Sequence, residues 1–260
     1  MVALDEDSVM KIKLGVASAL GLLLSVLAAP AAALEITATY LGIGNGGNVQ
    51  RAVLNSSSNP NFYSLGAGQM QLDIVSGALD NFDLLPLGDQ VIAYCIEPQE
   101  TVASTTYTIT DISQAPTNIG GMGVARSQDI HELLFHVPID AFSPTLTDED
   151  ALALQIALWE ISRETEASYI LAEGIGGNVQ FRNPSIAGAI GKAQGWLDSY
   201  VNDDPNDGIN DGYDPDLLAL IKVGNQDLLV KRVHSVPAPA SWLLVLPLLW
   251  WLRRRVLAHA

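Results

Sequence analysis

The stretch Gly68–Gly77, GQMQLDIVSG, decides the fold class of this chain. Met70, Leu72 and Ile74 fall at every second position with Gln69, Gln71 and Asp73 between them, the period of a strand with one buried face. Three further stretches share the pattern: EITATYLGI (35–43), QVIAYCIEP (90–98) and TTYTITDI (105–112). Such alternation implies antiparallel strands packed on one side. After Pro116 the apolar period lengthens to three or four residues. SQDIHELLFH (127–136) reads as a helix turned by Pro138. Thr147 with Asp150 makes a capping-box-like start to a second helix, ALALQIALWEIS, which runs through Ser162, and Asp148 and Glu149 suit its positive end. A third helix is expected from Ile186 to Val201, weakened by Gly188, Gly191 and Gly195, and a final strand near Leu217–Val230. The expected fold is α+β: an antiparallel β-sandwich or barrel-like domain with a helical segment inserted after the first strands. GIGNGGNVQR (42–51) and GIGGNVQFR (174–182) resemble each other and read as two glycine-rich hairpin or loop tips. Neither is a dinucleotide fingerprint, which needs a strand, a GxGxxG turn and a helix in order.

Charge and cysteine content exclude several functions. The chain has 260 residues, with 13 Lys+Arg against 29 Asp+Glu and a net charge of −16. It therefore lacks the basic footprint that binding to nucleic acid requires. One cysteine rules out an intramolecular disulfide and a cysteine-rich zinc site.

The two ends read as sorting segments. Lys11 and Lys13 precede an apolar run, Leu14–Ala28, and Ala31-Ala32-Ala33 supplies an A-x-A cleavage pattern, so residues 1–33 read as a signal peptide. Asp5, Glu6 and Asp7 suit its basic region badly and point to Met10 as the true start; the alternative is an uncleaved membrane anchor. At the other end, a Pro-rich hinge (Val236 to Ala240), an apolar stretch (Ser241 to Leu252) and Arg253, Arg254 and Arg255 follow one another. The arginines favour the cytoplasmic side of a membrane, and the apolar segment is at the short end for a span. The ends together hold five basic and three acidic residues, so the charge deepens from −16 to −18 between Leu34 and Ala240.

The tail (236–260) resembles the PEP-CTERM sorting signal of exported proteins from Gram-negative bacteria that make exopolysaccharide. The resemblance implies recognition at Val236, Pro237 and Pro239, and tail removal, by an exosortase-type membrane protease. Ala238 stands where the usual motif has Glu, which makes this a VPxPA-type variant. The implied location is the cell envelope or outer surface, or the extracellular matrix, with transient anchoring in the inner membrane.

Between the ends, residues 34–235 carry the one cysteine. Cys95 ends a strand in VIAYCIEP, and an unpaired thiol in an exported chain is either a buried small hydrophobe, an intermolecular disulfide partner or a reactive group. Gln155 shares a helix face with Leu152, Leu158 and Trp159, an amide in the middle of an apolar stripe that needs partners. Tyr94-Cys95-Ile96-Glu97 and Gln155-Ile156-Ala157-Leu158-Trp159 are similar to the paired motifs of thioester domains in bacterial surface adhesins. That resemblance implies an internal thioester between Cys95 and Gln155, with Tyr94, Ala157 and Trp159 shielding it from water. It also implies a surface amine or hydroxyl as the nucleophile captured. Leu154 departs from the usual Thr and Glu97 from the commoner Asp.

Other candidates are weaker. His131 and His136 are five apart and do not share a helix face as HExxH requires, so no metal is expected there, although either could assist proton transfer near Cys95. The run 202–216, NDDPNDGINDGYDPD, reads as a solvated acidic loop or a calcium site, with Pro205 and Ile209 at intended EF-hand ligand positions. Glu164 and Glu166, two apart at a helix end, point away from each other and give no glycosidase pair. No nucleophile elbow or P-loop occurs. The expectation is a surface or matrix protein without turnover and without a cofactor, either a covalent adhesin or a noncovalent, exopolysaccharide-associated component with an inert cysteine.

Overall fold

A computed structural model describes residues 34–53, 62–77, 83–84, 90–97, 101–164, 168–171, 179–202 and 212–233. The expected signal peptide (1–33), the expected sorting tail with Val236, Pro237, Pro239 and Arg253 to Arg255, Glu166, and residues 203–211 of the acidic run lie outside the described residues.

The four alternating stretches form strands, and four more join them: β1 (Glu35–Val53), β2 (Tyr63–Gly77), β3 (Asp83–Leu84), β4 (Gln90–Cys95), β5 (Thr105–Thr110), β6 (Val179–Arg182), β7 (Leu217–Ile221) and β8 (Leu228–Val233). Every pairing is antiparallel. The order is β2-β4-β8-β7-β5-β1-β6, and β1 also pairs with β2, so six strands close on themselves while β6 extends β1 and β3 pairs with β8. Closure gives each of those six strands a partner on both sides over part of its length, which is the barrel solution to strand exposure. The fold is α+β, as the period change at Pro116 implies.

Among the described residues, three helices follow the first five strands or sit between later ones: α1 (Gly123–His136), α2 (Asp148–Arg163) and α3 (Ala189–Leu197). Helix α2 is the hub. It packs on β1, β2, β4 and β6 and is covered by α1 and α3, so Ala151 to Arg163 are all buried. Its N-terminus is capped reciprocally: Asp150 N donates to Thr147 Oγ1 (3.1 Å) and Thr147 Oγ1 donates to Asp150 Oδ2 (2.6 Å).

The structure corrects four local expectations. Residues 42–51 are not a loop tip; they continue β1, which absorbs its glycines at register shifts between Thr37 and Ala38, Tyr40 and Gly42, and Ile43 and Gly46. The likeness between the two glycine-rich stretches instead ends in mutual pairing, Gln50 with Arg182 and Arg51 with Phe181, while 174–178 lie outside the described residues. Helix α1 begins at Gly123 rather than Ser127, because Arg126 ties its first turn to Met122 O (2.8 Å) and to Ser162 O at the end of α2 (3.0 Å). Helix α3 starts only at Ala189, after Gly188 in the left-handed region (φ 93°), and ends at Leu197 in a π-turn, Asp198–Asn202. The expected single strand 217–230 is the hairpin β7–β8, closed by Asn225 N to Lys222 O (2.9 Å).

Gly46 and Gly68 face each other across β1 and β2 at φ 145° and 137°. A Cβ on either would meet the opposite backbone, Ala67 O at 2.2 Å or Asn45 O at 2.3 Å. Gly68→Ala is therefore expected to lower stability by about 1–3 kcal/mol. Gly191→Ala, in open space on α3, should raise it by about 0.5–1 kcal/mol. Urea denaturation of both variants checks the opposite signs.

Candidate functional site

Strand β4 runs between β2 and β8, but the two neighbours leave it at different points. Its pairing with β8 extends through Cys95 with Leu228 and on to Ile96 N with Asp227 O (3.0 Å), whereas its pairing with β2 stops at Ala93 with Met70. Beyond that point Gln69 has turned its amide to the carbonyls of Ala141 (3.0 Å) and Ser143 (2.8 Å). The backbone of Cys95 on the β2 side thus needs another partner, and Gln155 supplies it. Cys95 N donates to Gln155 Oε1 (2.9 Å) and Gln155 Nε2 donates to Cys95 O (2.6 Å). The carboxamide does for one residue what a neighbouring strand would do. This explains how an amide sits, fully buried, in the apolar stripe of α2.

One turn on, Trp159 shares that helix face. Its Nε1–H donates to Cys95 Sγ (3.1 Å), and an indole only donates, so the sulfur is the acceptor. Trp159 itself has two neighbours against its ring. Phe181 stacks parallel to it at 6.1 Å, and the guanidinium of Arg51 lies 5.8 Å from the ring centroid. Arg51 and Phe181 are cross-strand partners on β1 and β6, so one strand pair delivers both.

Cys95, Gln155 and Trp159 are fully buried. Burial pushes the Cys95 thiol up to about 12, against the Trp159 hydrogen bond, the Glu97 backbone and the Arg51 charge, which pull it down. The resting sulfur is therefore a neutral thiol. Of the other residues in the shielding set, Tyr94 contributes from the far face of β4: its hydroxyl donates to Ala141 O (2.8 Å) and its ring meets Phe142 edge-on. Ala157 is buried, but two residues after Gln155 it lies on the opposite side of α2 from the thiol.

Two groups escaped the sequence reading. Arg51 follows Val49 at strand period and is buried like it, so an inward-facing arginine was the available signal. The other is a pair of fully buried carboxyl groups, Glu97 and Asp227. Glu97 accepts from the backbone N–H of Asn118 and of Asp227 (both 3.2 Å), and Asp227 accepts from Thr117 N (2.6 Å) and Lys222 N (2.9 Å). Burial, then the neighbouring Asp227, raise Glu97 to about 7.

The remaining candidates are drawn into other contacts. His131 Nδ1 accepts from Asp214 N (3.1 Å), and His136 pairs with Glu132 (2.7 Å) and stacks on Tyr200. In the acidic run, Asp214 pairs with Lys231 (2.9 Å), Asp216 with Arg232 (3.2 Å), and Asn202 bonds the backbone of Tyr169. Glu164 is the C-cap of α2.

A pH dependence follows. Burial also raises Glu160, to about 8, with Glu164 adding to it. An acid held protonated by the fold binds its proton more tightly folded than unfolded. Its contribution is therefore full below the ordinary value of 4.5 and is lost as pH rises through the folded value. His131, lowered by burial, acts in the opposite sense only below its ordinary 6.5. Stability should accordingly fall from about pH 7 to about pH 8.5, the range in which Glu160 loses its proton in the fold, and Glu160→Gln should flatten the decline. Urea midpoints at the two pH values check this, and a parent midpoint that rises would contradict it.

Compared with known family models, characterised proteins and solved structures, the chain matches none.

Proposed function

We propose that this chain is an exported surface or matrix protein that forms an internal Cys95–Gln155 thioester and uses it to attach itself covalently, once, to a target nucleophile. The observation that carries the reading is the two-way hydrogen bonding of the Gln155 carboxamide to the Cys95 backbone beside a sulfur that accepts from Trp159.

The chemistry balances without a cofactor. The Cys95 thiol adds to Cδ of Gln155, the C–N bond breaks, and ammonia leaves with the thiol proton. Cys95 N–H, already on Oε1, is the donor available to the oxygen as it gains negative charge. A target amine or hydroxyl later attacks the same carbon. The C–S bond breaks, its electron pair returns to sulfur, and the proton lost by the nucleophile ends on the thiol. Full burial keeps water from the acyl group before capture. No turnover follows, because Gln155 is consumed.

In this reading residues 1–33 direct export, and 236–260 hold the chain transiently in the membrane for an exosortase-type protease. The surface amines or hydroxyls of a cell, a matrix protein or exopolysaccharide are then the partners. The strongly acidic mature portion favours neutral or cationic targets over nucleic acid. A second reading has its own support: Gln155 is already satisfied on both polar atoms and the thiol is held neutral, as in an inert structural pair of a noncovalent matrix protein.

Intact mass of the purified mature chain separates the two. The thioester reading expects a deficit of one ammonia in the parent, absent from Cys95→Ala and Gln155→Ala, and a gain of one methylamine on treatment. A full-mass parent, unchanged by methylamine and alkylated by iodoacetamide only on unfolding, would establish the inert pair instead.

A further inference from the structure

Arg51 is the least compensated charge near the site. Its side chain is 7% exposed, yet Nε and Nη1 have no hydrogen-bond partner among the described residues. What it does face is the Trp159 ring, 5.8 Å from its guanidinium carbon, and that indole donates to Cys95 Sγ. A buried cation without an anion among the described residues is expensive to desolvate, and a negative charge forming beside it would offset that cost. In the resting protein no such charge exists on sulfur, because the Cys95 thiol is neutral.

We propose that Arg51 stabilises the Cys95 thiolate as it departs from the acyl group, acting through and alongside the Trp159 indole, so that the site is complementary to the acyl-transfer transition state. The inference rests on the thioester reading and names the group that makes the stored acyl group reactive. When the nucleophile attacks, the C–S electron pair moves onto sulfur, and for that interval the buried anion and the buried cation coexist. A cation over an indole face is attracted by the ring, and its field strengthens the N–H as a donor towards sulfur. Arg51 and Phe181, opposed on two paired strands, both lie against the Trp159 ring and hold it in this arrangement. Among the described residues, the other charged or titratable groups acting on the sulfur are few. Glu97 lies two residues after Cys95, past the end of β4, Tyr40 and Tyr107 are phenols held neutral, and Arg163 acts on Arg51 and Glu97. Arg51 is therefore the dominant positive charge towards Cys95.

The test uses the mature chain with Arg51→Met, Arg51→Gln and Arg51→Lys, each also placed on Gln155→Ala, which cannot form the thioester. Burying methionine in place of an unpaired charge is compatible with folding, and a cooperative urea transition verifies it. The rate of methylamine incorporation, followed by intact mass, should fall roughly tenfold to a hundredfold in the two neutral variants and recover in Arg51→Lys. On Gln155→Ala, the pH profile of Cys95 alkylation should shift upward when Arg51 is neutral and return with lysine. An unchanged incorporation rate overturns the proposal, as does an alkylation profile indifferent to residue 51. An absent ammonia deficit in the parent instead removes the thioester reading itself, a result distinguishable from either.

Discussion

The pairing of one side-chain carboxamide with the backbone of one strand residue is the constraint around which the rest is arranged. Strand β2 parts from β4 after Ala93, and without Gln155 the N–H and C=O of Cys95 would face the core unpaired. Leaving a buried polar group unsatisfied costs about 1–3 kcal/mol. That requirement fixes the register of α2 against the sheet: Gln155 must meet Cys95, Trp159 then falls one turn further on at the sulfur, and the apolar residues between fill the remaining contacts. Capping at Thr147 starts the helix on the correct residue, and Arg126 ties its far end to α1. The strands, in turn, present Arg51 and Phe181 to the Trp159 ring.

The two proposed readings of the site, structural pair and thioester, share every contact. A satisfied amide and a neutral thiol hold the core together. An amide whose oxygen already accepts a backbone N–H, next to a sulfur that accepts an indole N–H, is also what the proposed acyl transfer would use. The feature that a purely structural pair does not need is the buried guanidinium over Trp159, because a cation there adds desolvation without a resting anion.

Much of this was legible in the sequence, and the rest was hidden for identifiable reasons. Period-two alternation at Met70, Leu72 and Ile74 gave the strands, and the Thr147–Asp150 cap located the start of α2 to the residue. Gln155 was conspicuous as an amide in an apolar stripe. Ring closure was not legible, since the pairing of β1 with both β2 and β5 depends on a strand that runs through its glycines by bulging, and local propensity reads Gly42–Gly47 as a break. The β7–β8 hairpin was missed because Lys222 to Asp227 lacks a two-residue Asn-Gly or Asp-Gly turn. Arg51 was missed because its significance lies in a partner, Trp159, more than a hundred positions away in the chain. Glu97 and Asp227 likewise acquire shifted acidity only when β4 and the β7–β8 turn meet.

The central claim concerns a single covalent bond, so the direct test is to see it. A high-resolution crystal structure of the exported, mature domain, prepared without amines, should show continuous density from Cys95 Sγ to Gln155 Cδ. The Nε2 atom should be missing, and the carbonyl oxygen should still accept from Cys95 N–H. An intact carboxamide donating to Cys95 O, with a separate sulfur beneath Trp159, would contradict the account.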